Sequence, residues 1–201
     1  VTRGVRLRPA TWLVAGTFVL GAPSVAHAHL VTTGLGPVYD GIGHLLLSPD
    51  DLVPAIALGL YAGLRGPEAG RRAMFLAPLA WLAGGLAGTF AGEGTGAFPV
   101  AALSFVVLGV LVAADLRTPP VAVAALAVAL GLAYGFANGV VLRDGAGVAG
   151  LVGIAGILFV VVTLAAALVV ALRAPPARIA VRVAGSWVAA VGLLLFGWAM
   201  R

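Results

Sequence analysis

Six apolar windows, at about 40–64, 73–91, 98–114, 120–141, 148–172 and 180–200, follow one another with only short polar breaks between them. Roughly 20 apolar residues in a helix cross the hydrocarbon core of a bilayer, and most of these windows meet that length; the third is near the short limit. The segments are continuously apolar and lack the period-two alternation of a transmembrane barrel strand, so each is expected to be helical. With 62% hydrophobic and 9% charged residues, the chain also lacks the polar side chains needed to cover a water-soluble surface. The predicted fold class is all-α: a polytopic membrane protein whose six-helix transmembrane bundle forms a single domain over residues 29–201.

The first 28 residues read as a signal peptide. Arg3, Arg6 and Arg8 precede the apolar core "TWLVAGTFVLGA", and "AHA" at 26–28 offers the small residues of a cleavage site. Cleavage after Ala28 would leave His29 at the new terminus, with an amine and an imidazole in reach of one ion; the competing reading is an uncleaved first helix. Beyond the leader, Arg65, Arg71, Arg72, Arg117, Arg173, Arg178 and Arg182 fall on one side of the bundle and Arg143 and Arg201 on the other. Seven against two matches the positive-inside bias, which places both mature termini on the outer side of the cytoplasmic membrane. The net charge of +5 is no sign of nucleic acid, because the arginines lie singly or in small groups.

One window carries unusual polarity. "YDGIGHLLLSPDDLVP", residues 39–54, places Asp40, His44, Asp50 and Asp51 around a break at Pro49. Ser48 suits an N-cap, Pro49 the first helical position, and Asp51 stands three residues after Ser48 as in a capping box. Residues 40–47 then form a short preceding helix that dips into the membrane, with Asp40 and His44 four apart on one face. Capping by itself accounts for one of the later acids, since free amides and the helix dipole favour negative charge there. Ionisable groups at membrane depth are costly and tend to face a cavity or a partner, so the cation-site reading stands beside the capping one. An imidazole with nearby carboxylates suits a divalent metal without choosing among metals.

Other polar positions are sparse. Glu93, in "AGEGTG", either reaches the same entrance as Asp40 or sits in a solvated turn. Asp115 and Arg117 are expected to end a helix, Arg143 and Asp144 to form a loop pair, and Tyr61 and Trp81 to serve interface or packing. In "GLAYGFANG", Gly131, Gly135 and Gly139 form a ridge for close backbone approach, while Tyr134 and Asn138 bring a hydroxyl and an amide to the bundle interior. Gly84 with Gly88, and Gly59 with Gly63, form further ridges of the same kind.

The chain resembles the HupE/UreJ family, in particular its second, more divergent branch. The resemblance runs from His29 through "YDGIGHLLLSPDDLVPAIALGLYAG", "GRRAMFLAPLAWLAGGLAG", "AALSFVVLGVLVAADLRTP" and "GLAYGFANG" to "RVAGSWVAAVGLLLFGWAM". It implies a bacterial inner-membrane protein of six mature helices that takes up nickel or cobalt for metalloenzymes, with metalloenzyme maturation proteins as partners besides the bilayer and the metal ion. Asp51 stands where many members have a histidine after the proline. The "HGxAHG" signature of the better-characterised branch falls on "YGFANG", with its histidine positions on Tyr134 and Asn138; the glycine frame is kept and both imidazoles are replaced. The expected function is a divalent transition-metal permease, with His44, Asp40, Asp51, His29, Glu93 and Asn138 as metal-contacting residues and no resident cofactor. A non-transporting accessory protein for metal delivery or metalloenzyme assembly is the alternative. The chain carries no HExxH or GxSxG pattern, so it is not expected to be an enzyme.

Overall fold

The computed structural model describes residues 32–91, 100–172 and 174–199. The described residues form α1 (Pro37–Leu47), α2 (Pro49–Arg65), α3 (Pro67–Thr89), α4 (Val100–Ala114), α5 (Pro120–Leu142), α6 (Gly147–Ala171) and α7 (Pro175–Ala199). Proline opens five of these helices, where its missing N–H costs nothing and its fixed φ suits the first turn. The chain is an all-α, multi-pass membrane protein. Among the described residues, α5, α6 and α7 are long and apolar enough to cross a bilayer, and α1 with α2 makes a fourth span if the pair, bent by 77°, counts as one. Helix α4 is apolar but shorter, at 15 residues.

The six windows reappear as helices with shifted starts. Helix α3 begins six residues before its window and α7 five before, because both open with charged segments (Glu68, Arg71 and Arg72; Arg178) that hydropathy alone assigns to loops. The long arginine stems let such segments stay helical while the guanidinium reaches water. The break at Pro49 is where it was expected. The capping box is not formed: Ser48 makes no side-chain cap bond, and its own N–H donates to the His44 carbonyl at 3.0 Å. That bond removes the donor which an acidic side chain at Asp51 would accept, and the Asp51 carboxylate turns into the bundle instead.

Helix α2 is the hub and touches every other described helix. Around it, α3, α5 and α6 pack on one another through glycine. A Cβ at Gly131, Gly135 or Gly139 of α5 would strike the carbonyls of Ala77, Trp81 and Gly85 on α3, and one at Gly84 or Gly88 of α3 would strike those of Leu132 and Phe136 on α5. The two ridges therefore interlock, as the four-residue glycine spacing predicted. Gly59 and Gly63 bring α2 onto α6 in the same way, and Gly41 and Gly153 bring α1 onto α6. Helices α4 and α7 make their own close pair through Gly109, Gly185 and Gly192, and meet the rest mainly along α2. Both Tyr61 and Trp81 are buried, which assigns them to packing.

Gly135→Ala should cost about 1–3 kcal/mol, since the added methyl must push the α3 backbone away. Gly156→Ala, which has open space around it, should leave stability unchanged. Denaturant titration of the two purified variants in detergent reads the difference; equal behaviour would mean that the interlocked ridge does not hold α3 to α5.

Candidate functional site

The bend between α1 and α2 sets the site. His44 lies in the last turn of α1 and Asp51 in the first turn of α2. Folding the two helices at 77° turns both side chains toward α5. His44 Nε2 lies 3.7 Å from Asp51 Oδ2, with the two side chains only 13% and 8% exposed. Asn138 of α5 completes the group. Its Nδ2 donates to Asp51 Oδ1 and Oδ2 at 3.3 and 3.2 Å and to the Tyr134 carbonyl, one turn earlier, at 3.0 Å. With the amide protons so committed, Asn138 Oδ1 is buried without a hydrogen-bond partner.

This arrangement explains how a carboxylate is tolerated inside an apolar bundle. A buried acid needs donors or a counter-charge, and Asp51 has one amide and one imidazole. It also sits in the first turn of α2, on the positive side of the helix dipole. Pro54 has no N–H to offer the carbonyl of Asp50, four residues before it, so the same turn carries a freed backbone acceptor. The grouping offers one imidazole nitrogen, carboxylate oxygens and one amide oxygen to a cation. A half-turn of the Asn138 amide would exchange its Nδ2 for Oδ1 at the carboxylate, presenting a donor when the site is empty and an acceptor when a cation is bound.

Below the site, Pro54, Leu58, Trp81, Gly131, Tyr134 and Leu158 line a cavity of about 10 Å³, room for about one water molecule. Trp81 stacks on Tyr134 with ring centroids 5.3 Å apart. The Tyr134 hydroxyl bonds Ser104 of α4 at 2.5 Å, and Ser104 donates to the Ala101 carbonyl at 2.8 Å. Ser104 escaped the sequence reading because a serine in an apolar helix gives no pattern; only the neighbour across the bundle gives it meaning.

The other expected residues lie elsewhere. Asp40 is one turn from His44 on α1, but Thr33 donates to its Oδ1 from both N–H, at 2.6 Å, and hydroxyl, at 2.7 Å. Its carboxylate therefore ties down the chain entering α1. Asp50 is exposed beside the site. His29 and Glu93 lie outside the described residues. Among the described residues no group of three His, Cys, Asp or Glu side chains converges to hold a metal ion; what converges is one imidazole, one carboxylate and one amide.

Asn138→Leu should destabilise the protein by about 1–3 kcal/mol, because Asp51 keeps its burial and loses its amide donor. Adding Asp51→Leu should recover part of that loss, since removing both members of a buried polar pair is closer to neutral than removing one. Strictly additive losses in a double-mutant cycle by denaturant titration would mean that the two side chains do not interact.

No curated protein and no solved structure matches the chain significantly. A family model does: the one described as HupE / UreJ protein matches residues 17–195, which takes in every helix of the site and the glycine-framed segment of α5. The match covers most of the chain, and the protein therefore belongs to the HupE / UreJ family.

Proposed function

We propose that this protein is a permease for a divalent transition-metal cation, nickel- or cobalt-like, in the bacterial cytoplasmic membrane. The observation that carries this reading is the junction of His44, Asp51 and Asn138, three polar side chains from three helices that meet at a helix break among apolar packing, Asp51 and Asn138 buried and His44 partly so. Intramembrane ionisable groups mark ion paths, and discontinuous helices supply freed backbone groups to ion sites. Replacement of two family histidines by Tyr134 and Asn138 makes the donor set harder and richer in oxygen, which broadens the candidate metals beyond nickel. In this reading a leader of 28 residues is removed, six helices span the membrane with α1 and α2 forming one of them, and both ends of the mature chain lie outside the cytoplasm. The cation enters from that side past His29, Glu93 and Asp40, exchanges water for His44 and Asp51, and draws the Asn138 carbonyl oxygen toward it.

Purified protein in vesicles tests the reading, with nickel, cobalt, zinc, copper, manganese and iron offered separately. His44→Ala and Asp51→Asn should each lower uptake of the preferred metal by at least about tenfold. Asp40→Asn, which loosens the chain before α1, should reduce uptake less. Unchanged uptake by folded His44→Ala and Asp51→Asn proteins would refute the site. Metal binding that these substitutions abolish, with no flux in the unsubstituted protein, would favour the accessory role in metal delivery.

A further inference from the structure

At the end of α4 the chain turns through Asp115, whose φ of 50° makes it the one non-glycine residue in the left-handed region among the described residues. Leu116 N–H bonds the Leu111 carbonyl at 3.3 Å and Asp115 N–H bonds the Val112 carbonyl at 3.2 Å. This pair of bonds is the Schellman ending, in which the left-handed position is usually glycine. An aspartate there accepts backbone strain that glycine would not, so its side chain should have a use.

The contacts identify that use. The Asp115 carboxylate pairs with Arg65, at the last turn of α2, and its Oδ2 lies 3.9 Å from a guanidinium nitrogen of Arg178 on α7. Arg65, whose side chain is only 7% exposed, also reaches the Asp115 carbonyl at 3.4 Å. One turn earlier on α2, the Tyr61 hydroxyl donates to the Leu116 carbonyl at 3.1 Å and shares a 2.7 Å hydrogen bond with Thr118. Arg182 of α7 donates to the Ala113 carbonyl at 2.9 Å and so joins α7 to the same corner. The bonds of Tyr61 and Arg65 thus all fall on residues 115–118, at the end of α2 opposite to Asp51 and about 21 Å from it at 1.5 Å per residue.

The pairing of helices gives this corner something to hold. Helices α4 and α7 pack closely on each other and only thinly on the remaining five, chiefly along α2. We propose that α4 and α7 move as one body, and that the Asp115 corner is a latch holding that body closed against α2. Release of the latch opens the seam between α4 and α2 from the end remote from Asp51. The seam reaches the site: Ser104 of α4 bonds the Tyr134 hydroxyl, and the Tyr134 carbonyl holds the Asn138 amide that faces Asp51. The role of this opening as an exit for a cation rests on the permease reading; the latch itself does not.

The chain has no cysteine, so a single introduced thiol reports on the seam without background. Leu108 is fully buried and lies one turn from Ser104 on the same face of α4, while Ile154 of α6 is fully buried within the other body. Leu108→Cys and Ile154→Cys proteins in detergent are labelled with a small water-soluble maleimide, each with the latch intact, with Asp115→Gly and with Tyr61→Phe. Asp115→Gly removes the carboxylate while relieving the strain of the turn, so the end of α4 is kept. Either latch substitution should raise the labelling rate at Leu108→Cys by about tenfold or more, a population shift of about 1.4 kcal/mol, and leave Ile154→Cys unchanged. An unchanged rate at Leu108→Cys would overturn the latch, and an equal rise at both positions would overturn the two-body movement. No metal enters this measurement, so its failure leaves the uptake experiment standing, and the reverse holds too.

Discussion

Lipid around a helix bundle removes the ordinary reason for helices to meet, because hydrocarbon chains solvate leucine as well as another helix does. What remains is contact so close that lipid cannot enter, and in this protein glycine supplies it. Helices α3 and α5 approach until each one's glycines lie against the other's carbonyls, and α1 and α2 approach α6 in the same manner. Such spacing favours weak Cα–H···O contacts and many dispersion contacts at once. It also leaves little room for side chains between backbones, and many of the larger apolar residues lie on the outer surface of the bundle. The exposure of Phe75, Leu79, Leu164 and Trp198 follows from this arrangement and is normal for a lipid-facing surface.

Within so tight a body, a carboxylate survives only where structure is built to receive it. The bend at Ser48 and Pro49 does this by ending one helix and starting another at the same point. His44 comes from the closing turn of α1, whose carbonyl occupies the Ser48 N–H, and Asp51 from the opening turn of α2. Asn138 meets them because the glycines of α5 bring its backbone close to α3, which fixes the face on which the amide lies. The glycine frame and the polar cluster are therefore one device. The first sets the second to within hydrogen-bonding distance.

The helices were readable from the sequence because each apolar window carries its own evidence in its length and continuity. The glycine ridges were readable because four-residue spacing fixes a face of a helix whatever lies opposite. Tyr134 and Asn138 could be assigned to the interior for the same reason. Contacts between distant parts of the chain were not readable in this way. Asp51 and Asn138 are separated by 87 residues and Arg65 and Asp115 by 50, and nothing local marks either pair. For Asp51 the local pattern pointed to capping, a bond of a few residues' range, and the tertiary contact prevailed over it. Asp40 shows the opposite outcome: its spacing from His44 suggested a shared site, whereas a local bond to Thr33 took the carboxylate. Spacing of four places two side chains on one face, but it does not decide which neighbour either will choose.

The distribution of glycine also separates what is stiff from what can move. Contacts of backbone on backbone join α3 to α5 and both α1 and α2 to α6, these groups meet where Gly85 and Gly70 of α3 lie against the Leu151 and Ala166 side chains of α6, and a separate set joins α4 to α7. Among the described glycines none brings α2 against α4, where the two sets meet. That seam is held by side chains: Tyr61 and Arg65 at one end, and Ser104 with Tyr134 nearer the site. Hydrogen bonds inside membrane bundles contribute on average only about 0.6 kcal/mol each, so a few of them can be exchanged for water or for other partners without unfolding either set. The polar cluster around Asp51 lies in the stiff set, yet one of its members, Asn138, is held through Tyr134 by a bond that crosses the seam. Tyr134 thus touches both sides of the arrangement, its hydroxyl bonding Ser104 of α4 and its carbonyl accepting from the Asn138 amide that faces Asp51.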